Sequence, residues 1–536
     1  MSTGSLNARR RERELDRLTG GERVDVLVVG GGVTGAGIAL DAAARGLSVA
    51  LVEARDLAFG TSRWSSKLVH GGLRYLAQGE LGLAHESAVE RGLLMTRTAP
   101  HLTRAMPQLF PLYPGTSRAQ QAVIAAGLHA GDALRRAART PSSVLPRPRT
   151  VPVAEALALA PGLTPSGLRG ALLAYDGALV DDARLVVSLA RTAALLGARI
   201  LTRVEAVSLA ADGVRVREGP LENGPGENGP GENGTVESGA VENGTVEYEL
   251  PARQVINATG VWAGTLTDSV RLRPSRGSHL VLGAGSASIG ATSVNVPVPG
   301  ETSRFVFLLP QPDGRVYLGL TDEPVDGAVP PVPVVPESDV DFLLTVASSV
   351  LARPLTRDDV IGSFAGLRPL VAGAGGRSAD LSRKHAVVTG EDGVLTVVGG
   401  KLTTYRRMAE DAVDAALVRA GLHAGPSRTA RLPLLGAAPR DRLSLVDAPA
   451  RLVAKYGTEA PRVAALGQVE PEFAAPLAET TQITAAEVVW AVRHEGALNA
   501  EDVLERRTRL SLVPADAAAA RDRVRELVAR ALAGLA

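Results

Sequence analysis

The first pattern of apolar and polar positions along the chain predicts a βαβ unit. Val24 to Val29 is an apolar, β-branched run that ends in glycines, a helical pattern follows from about Val33 to Arg45, and Leu47 to Glu53 is a second apolar run. Short apolar runs bounded by glycine and joined by a helical stretch are typical of neighbouring buried parallel strands. The chain therefore opens as an α/β protein.

The pattern changes after this opening. Helical patterns dominate from about Ser65 to Ala190, and short strand-like runs return from Arg199 to Asn257. Alternating or apolar runs between about Arg273 and Glu323, such as Phe305 to Leu309, predict an antiparallel sheet of a second domain. We expect loops at the prolines of the helical stretch, which include Pro100, Pro107, Pro111 and Pro114.

The last part of the chain is predicted to be helical. Val394 to Val398 is one more short strand, and two glycines and a long helical pattern follow it. After about Arg431 the pattern is that of a separate helical unit, which includes Ala485 to His494 and Pro514 to Leu535. At roughly 100 to 200 residues per domain, 536 residues allow two to four domains.

One segment, Glu222 to Val246, is a tandem array of five pentads (ENGPG, ENGPG, ENGTV, ESGAV, ENGTV). It contains five Glu and no basic residue, so we expect a solvated loop. It lies between the strand-like runs Val214 to Arg217 and Val246 to Leu250, which predicts a hairpin whose tip it extends at little entropic cost. A calcium or partner site is the less favoured interpretation.

Composition and charge exclude several function classes. The chain has 58 Lys+Arg against 57 Asp+Glu, so no global charge attracts nucleic acid or an anionic membrane. It has no Cys, which excludes disulfides, thiolate nucleophiles and Cys-ligated clusters, so redox chemistry would need an organic cofactor or another metal. We expect no metal site, because the histidines outside the motifs below lack ligand spacing; they include His85, His101, His129, His279 and His423.

The chain also lacks the usual signals for a membrane or export. Residues 1–18 are polar and rich in arginine, without the apolar centre of a secretory signal. No apolar run reaches the roughly 20 residues that a spanning helix needs. We therefore expect a cytoplasmic protein whose membrane contact is at most peripheral.

A glycine turn follows directly on the first predicted strand. Gly30 permits the tight turn, Gly32 lets the backbone approach a pyrophosphate, and Gly35 lets the helix pack on the strand with its N-terminus facing the anion. Glu53 ends the second strand, where a carboxylate accepts hydrogen bonds from a ribose. A dinucleotide is the expected ligand, and the turn alone does not separate FAD from NAD.

The segment from Thr61 to Leu76 favours FAD. It concentrates hydroxyls, cations, a histidine and paired glycines, which suit the ribityl and pyrophosphate chain of a flavin and a close backbone approach to its ring. The cofactor contacts expected here are Thr61, Ser62, Ser65, Ser66, Lys67, Leu68, His70, Gly71 and Gly72.

Together with three later motifs, this segment resembles the FAD-dependent, quinone-linked glycerol-3-phosphate dehydrogenases of aerobic metabolism. The later motifs are Asp176 to Leu185 (DGALVDDARL), Phe364 to Leu370 (FAGLRPL) and Gly399 to Arg406 (GGKLTTYR). The resemblance runs from about Asp25 to Leu512, and the pentads have no counterpart in the family pattern. It implies an α/β fold with a discontinuous Rossmann-like FAD-binding domain, an α+β substrate domain carrying an antiparallel sheet, and a helical C-terminal domain.

The resemblance implies a division of the chain into these parts. Residues 1–22 would be a polar tail; 23–75, 176–265 and 380–425 the FAD-binding domain, with 222–246 as an insert; 76–175 and 266–379 the substrate domain; and 430–536 the helical C-terminal domain. In the last of these, Arg493 to Glu495 and Glu505 to Arg509 are expected to be solvated or interface charges rather than catalysts.

By the same resemblance, two later segments return to the cofactor. Ile256 to Ala263 would be a strand and turn with Gly260 close to FAD, and Gly400, Lys401, Leu402 and Thr403 would contact it at the start of a helix. Free N–H groups and the positive end of that helix would face the pyrimidine edge of the flavin and favour its reduced state.

The substrate implied by the resemblance is glycerol 3-phosphate. Its phosphate needs charged donors, and its C2 hydroxyl needs a base while hydride leaves for flavin N5. The polar groups expected to converge on it are Arg74, Tyr75, Arg368, Arg383 and Lys401. The catalytic set is His70, Arg368 and Lys401: His70 is the favoured base, because an arginine hardly deprotonates, and Lys401 is the second choice. A purely structural hydrogen bond is an almost equally supported role for His70.

Several functions compete at this stage. The favoured one passes electrons to a membrane quinone, with the protein attached to the inner face of the cell membrane. An oxidase of the same substrate, which makes hydrogen peroxide, is a close rival. A Rossmann-type methyltransferase and a non-enzymatic flavoprotein scaffold are rivals of other classes. A homodimer is one possible assembly.

Overall fold

The computed structural model of the protein describes residues 3–72, 75, 79–114, 118–219, 247–301, 304–371 and 384–535. The predicted loop Glu222 to Val246 and the predicted substrate ligands Arg74 and Arg383 lie outside the described residues.

The strands of the described chain form two sheets. They are β1 (Val24–Val29), β2 (Val49–Glu53), β3 (Leu68–Val69), β4 (Thr103–Pro111), β5 (Arg149–Val151), β6 (Ala171–Leu179), β7 (Arg199–Thr202), β8 (Val204–Ala210), β9 (Gly213–Glu218), β10 (Glu247–Asn257), β11 (Ser275–Leu282), β12 (Ser293–Pro297), β13 (Phe305–Pro310), β14 (Val316–Gly319), β15 (Glu323–Pro324), β16 (Val360–Arg368), β17 (Ala386–Thr389) and β18 (Leu395–Val398).

The helices of the described chain pack on these sheets or form the C-terminal part. They are α1 (Ala8–Thr19), α2 (Val33–Ala44), α3 (Leu81–Leu93), α4 (Arg118–Ala137), α5 (Val153–Leu159), α6 (Asp182–Leu195), α7 (Ala263–Leu266), α8 (Glu337–Ser348), α9 (Tyr405–Ala420), α10 (Arg440–Leu443), α11 (Ala450–Tyr456), α12 (Ala460–Val469), α13 (Ala485–His494), α14 (Ala500–Asp502) and α15 (Pro514–Ala533).

The first sheet confirms the predicted βαβ opening. Its strand order is β17-β18-β10-β1-β2-β7, and the pairings of β18, β10, β1, β2 and β7 are parallel. Five of the six residues of Val24–Val29 are buried, and Asp25 is half-buried. One face of the sheet packs against α2 and α6, and the other packs against α1 and strands β8 and β9. Helices α2 and α9 pack closely, since a Cβ at Gly37 would lie 2.9 Å from the ring of Tyr405.

A hairpin arm extends this sheet as predicted. Strand β9 pairs antiparallel with the first half of β10, with Arg217 opposite Glu247, and β8 pairs antiparallel with β9. The predicted strands on either side of the pentad array are therefore confirmed.

The second sheet is the predicted antiparallel sheet. Its strand order is β15-β11-β14-β13-β12-β4-β6-β3, with β16 also on β11 and β5 also on β6. One pairing, between β12 and β4, is parallel. Leu280, Leu282, Val294 and Leu308 point from one face into a core shared with α8, and the opposite face carries the candidate site.

Part of the stretch predicted to be helical is instead strand. Thr103–Pro111 and Ala171–Leu179 pair antiparallel over their whole length, although Pro107 was expected to interrupt the chain there. Pairing with β12 begins only at Gln108, so the missing N–H of Pro107 falls beside the end of that ladder, where proline is tolerated.

The predicted polar tail contains a packed helix. Leu15 and Leu18 of α1 are buried against the first sheet, and so are Arg10 and Arg11. Arg10 donates hydrogen bonds to Glu14 at 2.7 Å and to the Ala194 carbonyl at 3.0 Å. The arginines therefore satisfy buried acceptors instead of extending into solvent.

Of the two charged motifs predicted in the C-terminal part to be solvated or at an interface, Glu495, Arg506 and Arg507 are buried at an interface. Glu495 is fully buried and receives both terminal nitrogens of Arg184. Arg506 and Arg507 are also almost fully buried. The helical C-terminal part is thus joined to the remainder of the protein by enclosed ion pairs.

Candidate functional site

The glycine turn after β1 has the geometry expected of a pyrophosphate site. Gly30 has a φ of +110°, and a Cβ there would lie 2.6 Å from the Ala258 carbonyl. A Cβ at Gly35 would lie 1.9 Å from the Gly30 carbonyl, so neither position tolerates a side chain. At Gly32 the nearest atom to a Cβ would be Ser62 Oγ at 3.2 Å. The open side of the turn is therefore at Gly32, where a pyrophosphate would approach.

Two N–H groups of this turn are already bound by side chains. Gly31 donates to Glu53 Oε2 at 2.6 Å, and Val33 donates to Ser62 Oγ at 2.9 Å. Glu53 Oε1 accepts a second hydrogen bond from the N–H of Arg55 at 2.9 Å. Burial raises the pKa of Glu53, although both N–H contacts oppose this. The carboxylate thus shapes the turn, and its contact with a ribose stays a prediction.

The turn that follows β10 lies beside the glycine turn. Asn257 accepts hydrogen bonds from the Thr259 N–H at 3.2 Å and from its hydroxyl at 2.7 Å, which fixes the chain before Gly260. Gly260 has a φ of +63°, and no heavy atom of the described chain lies within 4 Å of a Cβ placed there. Gly32 and Gly260 therefore leave backbone accessible where FAD would bind, so these residues fit the cofactor.

The loop Thr61–Lys67, which carries most of the predicted cofactor contacts, is held by hydroxyl hydrogen bonds. Thr61 Oγ1 donates to the Leu367 carbonyl at 2.7 Å. The N–H and hydroxyl of Ser65 both donate to Asp182, at 2.9 and 2.7 Å. Ser66 Oγ lies 2.8 Å from His279 Nε2. These contacts position the loop, and its contacts with FAD stay predictions.

Lys67 lies beneath the loop. Its φ is +55°, its ammonium is 3.1 Å from Asp182 Oδ2, and it donates to the Ser65 carbonyl at 3.0 Å. Burial lowers the pKa of Lys67 to about 8, and Asp182 opposes this shift. The side chain thus holds the loop to Asp182, and its contact with the cofactor stays a prediction.

The segment after Lys67 crosses the second sheet. Leu68 and Val69 pair with the end of β6, and the Gly71 N–H donates to Asp176 at 3.2 Å. Arg91 donates to the same carboxylate at 2.7 Å, and a Cβ at Gly71 would lie 2.5 Å from its Nη1. This packing holds the chain on both sides of the half-buried His70, a candidate base.

Lys401 and Tyr75, two residues predicted to bind the substrate, lie close together. Lys401 Nζ lies 4.6 Å from the centre of the Tyr75 ring, which is almost fully buried. Gly399 and Gly400 precede the lysine with φ values of +73° and +69°. Leu402, Thr403 and Thr404 then form a 3₁₀ turn that leads into α9. The α-helix therefore begins at Tyr405, one turn later than the start predicted at Lys401.

Arg368 ends β16 with an oriented guanidinium. Its Nη1 donates to Ser275 at 3.2 Å and to Asp322 at 3.1 Å, and its Nη2 donates to the Thr321 carbonyl at 3.1 Å. A Cβ at Gly277 would lie 2.4 Å from its Nη2, so glycine leaves the space that the side chain occupies.

His279, which the sequence did not single out, is almost fully buried beside the predicted cofactor loop. It lies on β11, two residues from Gly277, and stacks on Phe364 with ring centres 4.7 Å apart. Burial, together with the nearby cations Lys67 and Arg368, lowers the pKa of His279 to about 3. The signal in the sequence is alternation, because Ser275, Gly277 and His279 share the face opposite Leu280 and Leu282.

In the described ranges, no group of three or more His, Asp or Glu side chains is arranged to hold a metal ion. No helix within those ranges is both long and apolar enough to cross a membrane.

Comparison with known proteins agrees with this geometry. Residues 25–406 match the family described as FAD dependent oxidoreductase, and residues 427–533 match the C-terminal domain of alpha-glycerophosphate oxidase. The chain is 50% identical to glycerol-3-phosphate dehydrogenase 1 of Mycobacterium tuberculosis over 524 residues, which cover 96% of each protein.

Solved structures show the same fold. The glycerol-3-phosphate dehydrogenase of Bacillus halodurans, solved with FAD, superimposes with a TM-score of 0.71 at 25% identity and covers 99% of this chain and 97% of its own. The L-alpha-glycerophosphate oxidase of Mycoplasma pneumoniae gives a TM-score of 0.55 at 18% identity, over 77% of this chain and 99% of its own, and shows the fold alone.

Proposed function

Because the chain belongs to the FAD-dependent glycerol-3-phosphate dehydrogenase family, we propose that it oxidises sn-glycerol 3-phosphate to dihydroxyacetone phosphate. FAD is its cofactor and, when bound, supplies the acceptor for the hydride that leaves C2. Membership of this family argues against the methyltransferase and the non-enzymatic scaffold. The division into FAD-binding, substrate and C-terminal domains is part of the proposal.

The observation that carries the proposal is the position of Lys401. Its ammonium faces the buried Tyr75 ring, directly after two glycines with left-handed backbone and ahead of the 16-residue helix α9. A lysine beside the positive end of a helix is suited to a phosphate dianion. The aromatic ring limits where the ammonium can move, so the charge is positioned before the substrate binds.

Arg368 supplies the second part of phosphate recognition. Asp322 and Ser275 fix its guanidinium, so its fork keeps one orientation while a phosphate binds. Arg74 and Arg383 belong to the same proposed set and lie outside the described residues.

The proton of the C2 hydroxyl is assigned to His70. His279 is a poor base, because burial and two neighbouring cations lower its pKa to about 3, and it stays neutral near pH 7. His70 is half-buried, on the segment that Asp176 and Arg91 hold in place. Lys401 remains the second choice, and a base role for it would compete with phosphate binding.

The electron acceptor is proposed to be a membrane quinone reached at the inner face of the membrane. The chain has no Cys for a cluster relay and one dinucleotide turn, at Gly30. The C-terminal match to alpha-glycerophosphate oxidase favours molecular oxygen as the alternative acceptor.

Anaerobic addition of sn-glycerol 3-phosphate to the purified holoenzyme tests the reaction. The absorbance of the oxidised flavin should bleach within one turnover, and glycerol at the same concentration should bleach it far more slowly. Reoxidation of the bleached enzyme then separates the acceptors. Fast return with a soluble quinone and slow return in air supports the dehydrogenase; stoichiometric hydrogen peroxide at an equal rate would establish the oxidase.

A further inference from the structure

The segment Glu505–Arg509, here called the tail clamp, is joined to the cofactor side of the first sheet. Arg507 donates from both terminal nitrogens to Asp56, at 2.8 and 2.9 Å, and Arg506 donates to the same carboxylate at 2.6 Å. Burial alone would raise the pKa of Asp56, but the two arginines outweigh it and hold the pKa well below its usual value. Asp56 lies three residues after Glu53, the last residue of β2, so the tail clamp binds the chain just beyond the end of this strand.

The same segment holds the loop Thr61–Lys67 directly. Glu505 forms an ion pair with Arg63, whose Nε also donates to the Phe59 carbonyl at 2.8 Å. Arg509 donates to the main-chain carbonyl of Arg63, and its guanidinium lies 5.4 Å from the centre of the Trp64 ring. Both contacts fall within the predicted FAD-binding loop.

Arg509 also faces the acid that orders the loop from the other side. Its nitrogens lie 3.8 Å from Asp182 and 3.9 Å from Asp181, and Asp182 is the acceptor for Ser65 and Lys67. The φ of Arg509 is +66°, a conformation that residues other than glycine rarely adopt. The side chain lies inward and is 9% exposed.

The loop transmits this position to the glycine turn. Thr61 is bound to the Leu367 carbonyl, and the Arg63 carbonyl is bound by Arg509. Ser62 lies between them and accepts the Val33 N–H at the start of α2. A displacement of the Arg63 carbonyl would therefore move the hydroxyl that completes the first turn of α2.

We propose that Arg509 is a positioning residue of the cofactor site, which fixes the loop Thr61–Lys67 and makes the C-terminal domain necessary for tight FAD binding. The proposal rests on the proposed contacts between this loop and FAD, and it is independent of the substrate and of the electron acceptor.

The test compares FAD binding in four full-length proteins: the unmodified chain, Arg509→Met, Arg509→Lys and Arg525→Met. Arg525 is an exposed arginine on α15 and serves as the matched control. FAD is titrated into each apoprotein while the change in flavin fluorescence is recorded, and amide hydrogen exchange is measured for peptides covering residues 61–67 and 24–29.

We expect the Kd for FAD to rise at least tenfold in Arg509→Met, less in Arg509→Lys, and not at all in Arg525→Met. Exchange at 61–67 should accelerate in the Arg509→Met apoprotein while exchange at 24–29 stays unchanged, which separates a local effect from loss of the fold. An unchanged Kd together with unchanged exchange at 61–67 would overturn the proposal.

A second variant and the exchange of the FAD-bound protein complete the test. If Arg509→Met does not fold, Glu505→Gln loosens the same loop through Arg63, and an unaltered Kd in that variant counts against the clamp. In the unmodified protein, FAD should slow exchange at 61–67. Lack of this protection would refute the loop contacts with FAD themselves, whereas a failure confined to the variants would refute only the role of Arg509.

Discussion

Ser62 Oγ accepts the backbone N–H of Val33 at 2.9 Å, so one hydrogen bond joins the loop after β2 to the first turn of α2. With Glu53 on the Gly31 N–H, it occupies donors that a pyrophosphate would otherwise meet. The anion must then rely on the remaining N–H groups and on the helix end itself. Binding of the pyrophosphate therefore depends on its close approach to the backbone at Gly32.

Two glycine variants should therefore fail in different ways. Gly32→Val should fold but lose FAD, because its side chain would occupy the approach of the pyrophosphate beside Ser62 Oγ. Gly35→Ala should lose both FAD and stability, because its Cβ would meet the Gly30 carbonyl at 1.9 Å. Flavin content and the thermal unfolding midpoint of the apoprotein measure the two effects. Full flavin occupancy in Gly32→Val would refute this position of the pyrophosphate.

Removal of a phosphate ligand should reduce catalytic efficiency strongly. Arg368→Met and Lys401→Met each remove a charge-assisted contact, which should cost about 2 to 4 kcal/mol, or roughly 30- to 1000-fold in kcat/KM for glycerol 3-phosphate. The loss should be much smaller for glycerol, which lacks the phosphate. Arg357→Met, at an exposed pair with Glu337, is the control and should leave kcat/KM unchanged. An equal loss for both substrates would assign these residues another role.

The stability contributed by Lys67 should depend on pH in a defined direction. Burial holds its pKa at about 8 in the folded protein, below the 10.5 of an unperturbed lysine, so unfolding takes up a proton between these values. The folded state therefore gains about 1 to 3 kcal/mol as pH rises through this window. Unfolding midpoints from pH 8 to pH 10 should rise relative to those of Lys67→Met and Lys67→Arg. A constant difference across the window would contradict the shifted pKa.

Deletion of Glu222 to Val246 should leave the enzyme active. The flanking strands β9 and β10 already pair, with Arg217 opposite Glu247, so a short Asn-Gly turn can close the hairpin. Flavin content and turnover of the deleted protein should stay within about twofold of the unmodified protein, since loop-closure entropy changes slowly with length. A large loss of either would reveal a role for the pentads.

The parts of the fold predicted correctly are those that local sequence determines. The strand Val24–Val29 and the helix Ala485–His494 have the predicted bounds, because an apolar run ending in glycines and a capped amphipathic stretch define them. The strand Thr103–Pro111 was missed, because it exists through pairing with Ala171–Leu179, and its prolines argue locally against it. Pairing partners distant along the chain leave no local pattern.

The site shows the same division. Gly30 and Gly35 follow from their motif, because the turn itself requires glycine. His279 was missed because its burial depends on Phe364 and Ser66, which come from other strands and loops. The charges of the tail clamp were predicted to be either solvated or at an interface. The sequence did not decide between the two, because the acid that pairs with Arg506 lies 450 residues earlier in the chain.

That separation has a consequence for biosynthesis. Asp56 is synthesised 451 residues before Arg507, so at about 5 to 20 residues per second the ribosome needs roughly 20 to 90 seconds to supply its partner. During this interval Asp56 lacks the two guanidinium groups that neutralise its buried carboxylate, so we expect the carboxylate to stay hydrated. We therefore expect a nascent chain to acquire FAD only after nearly all of its residues have emerged. Cofactor binding would then be a late step of folding and would not help to nucleate it.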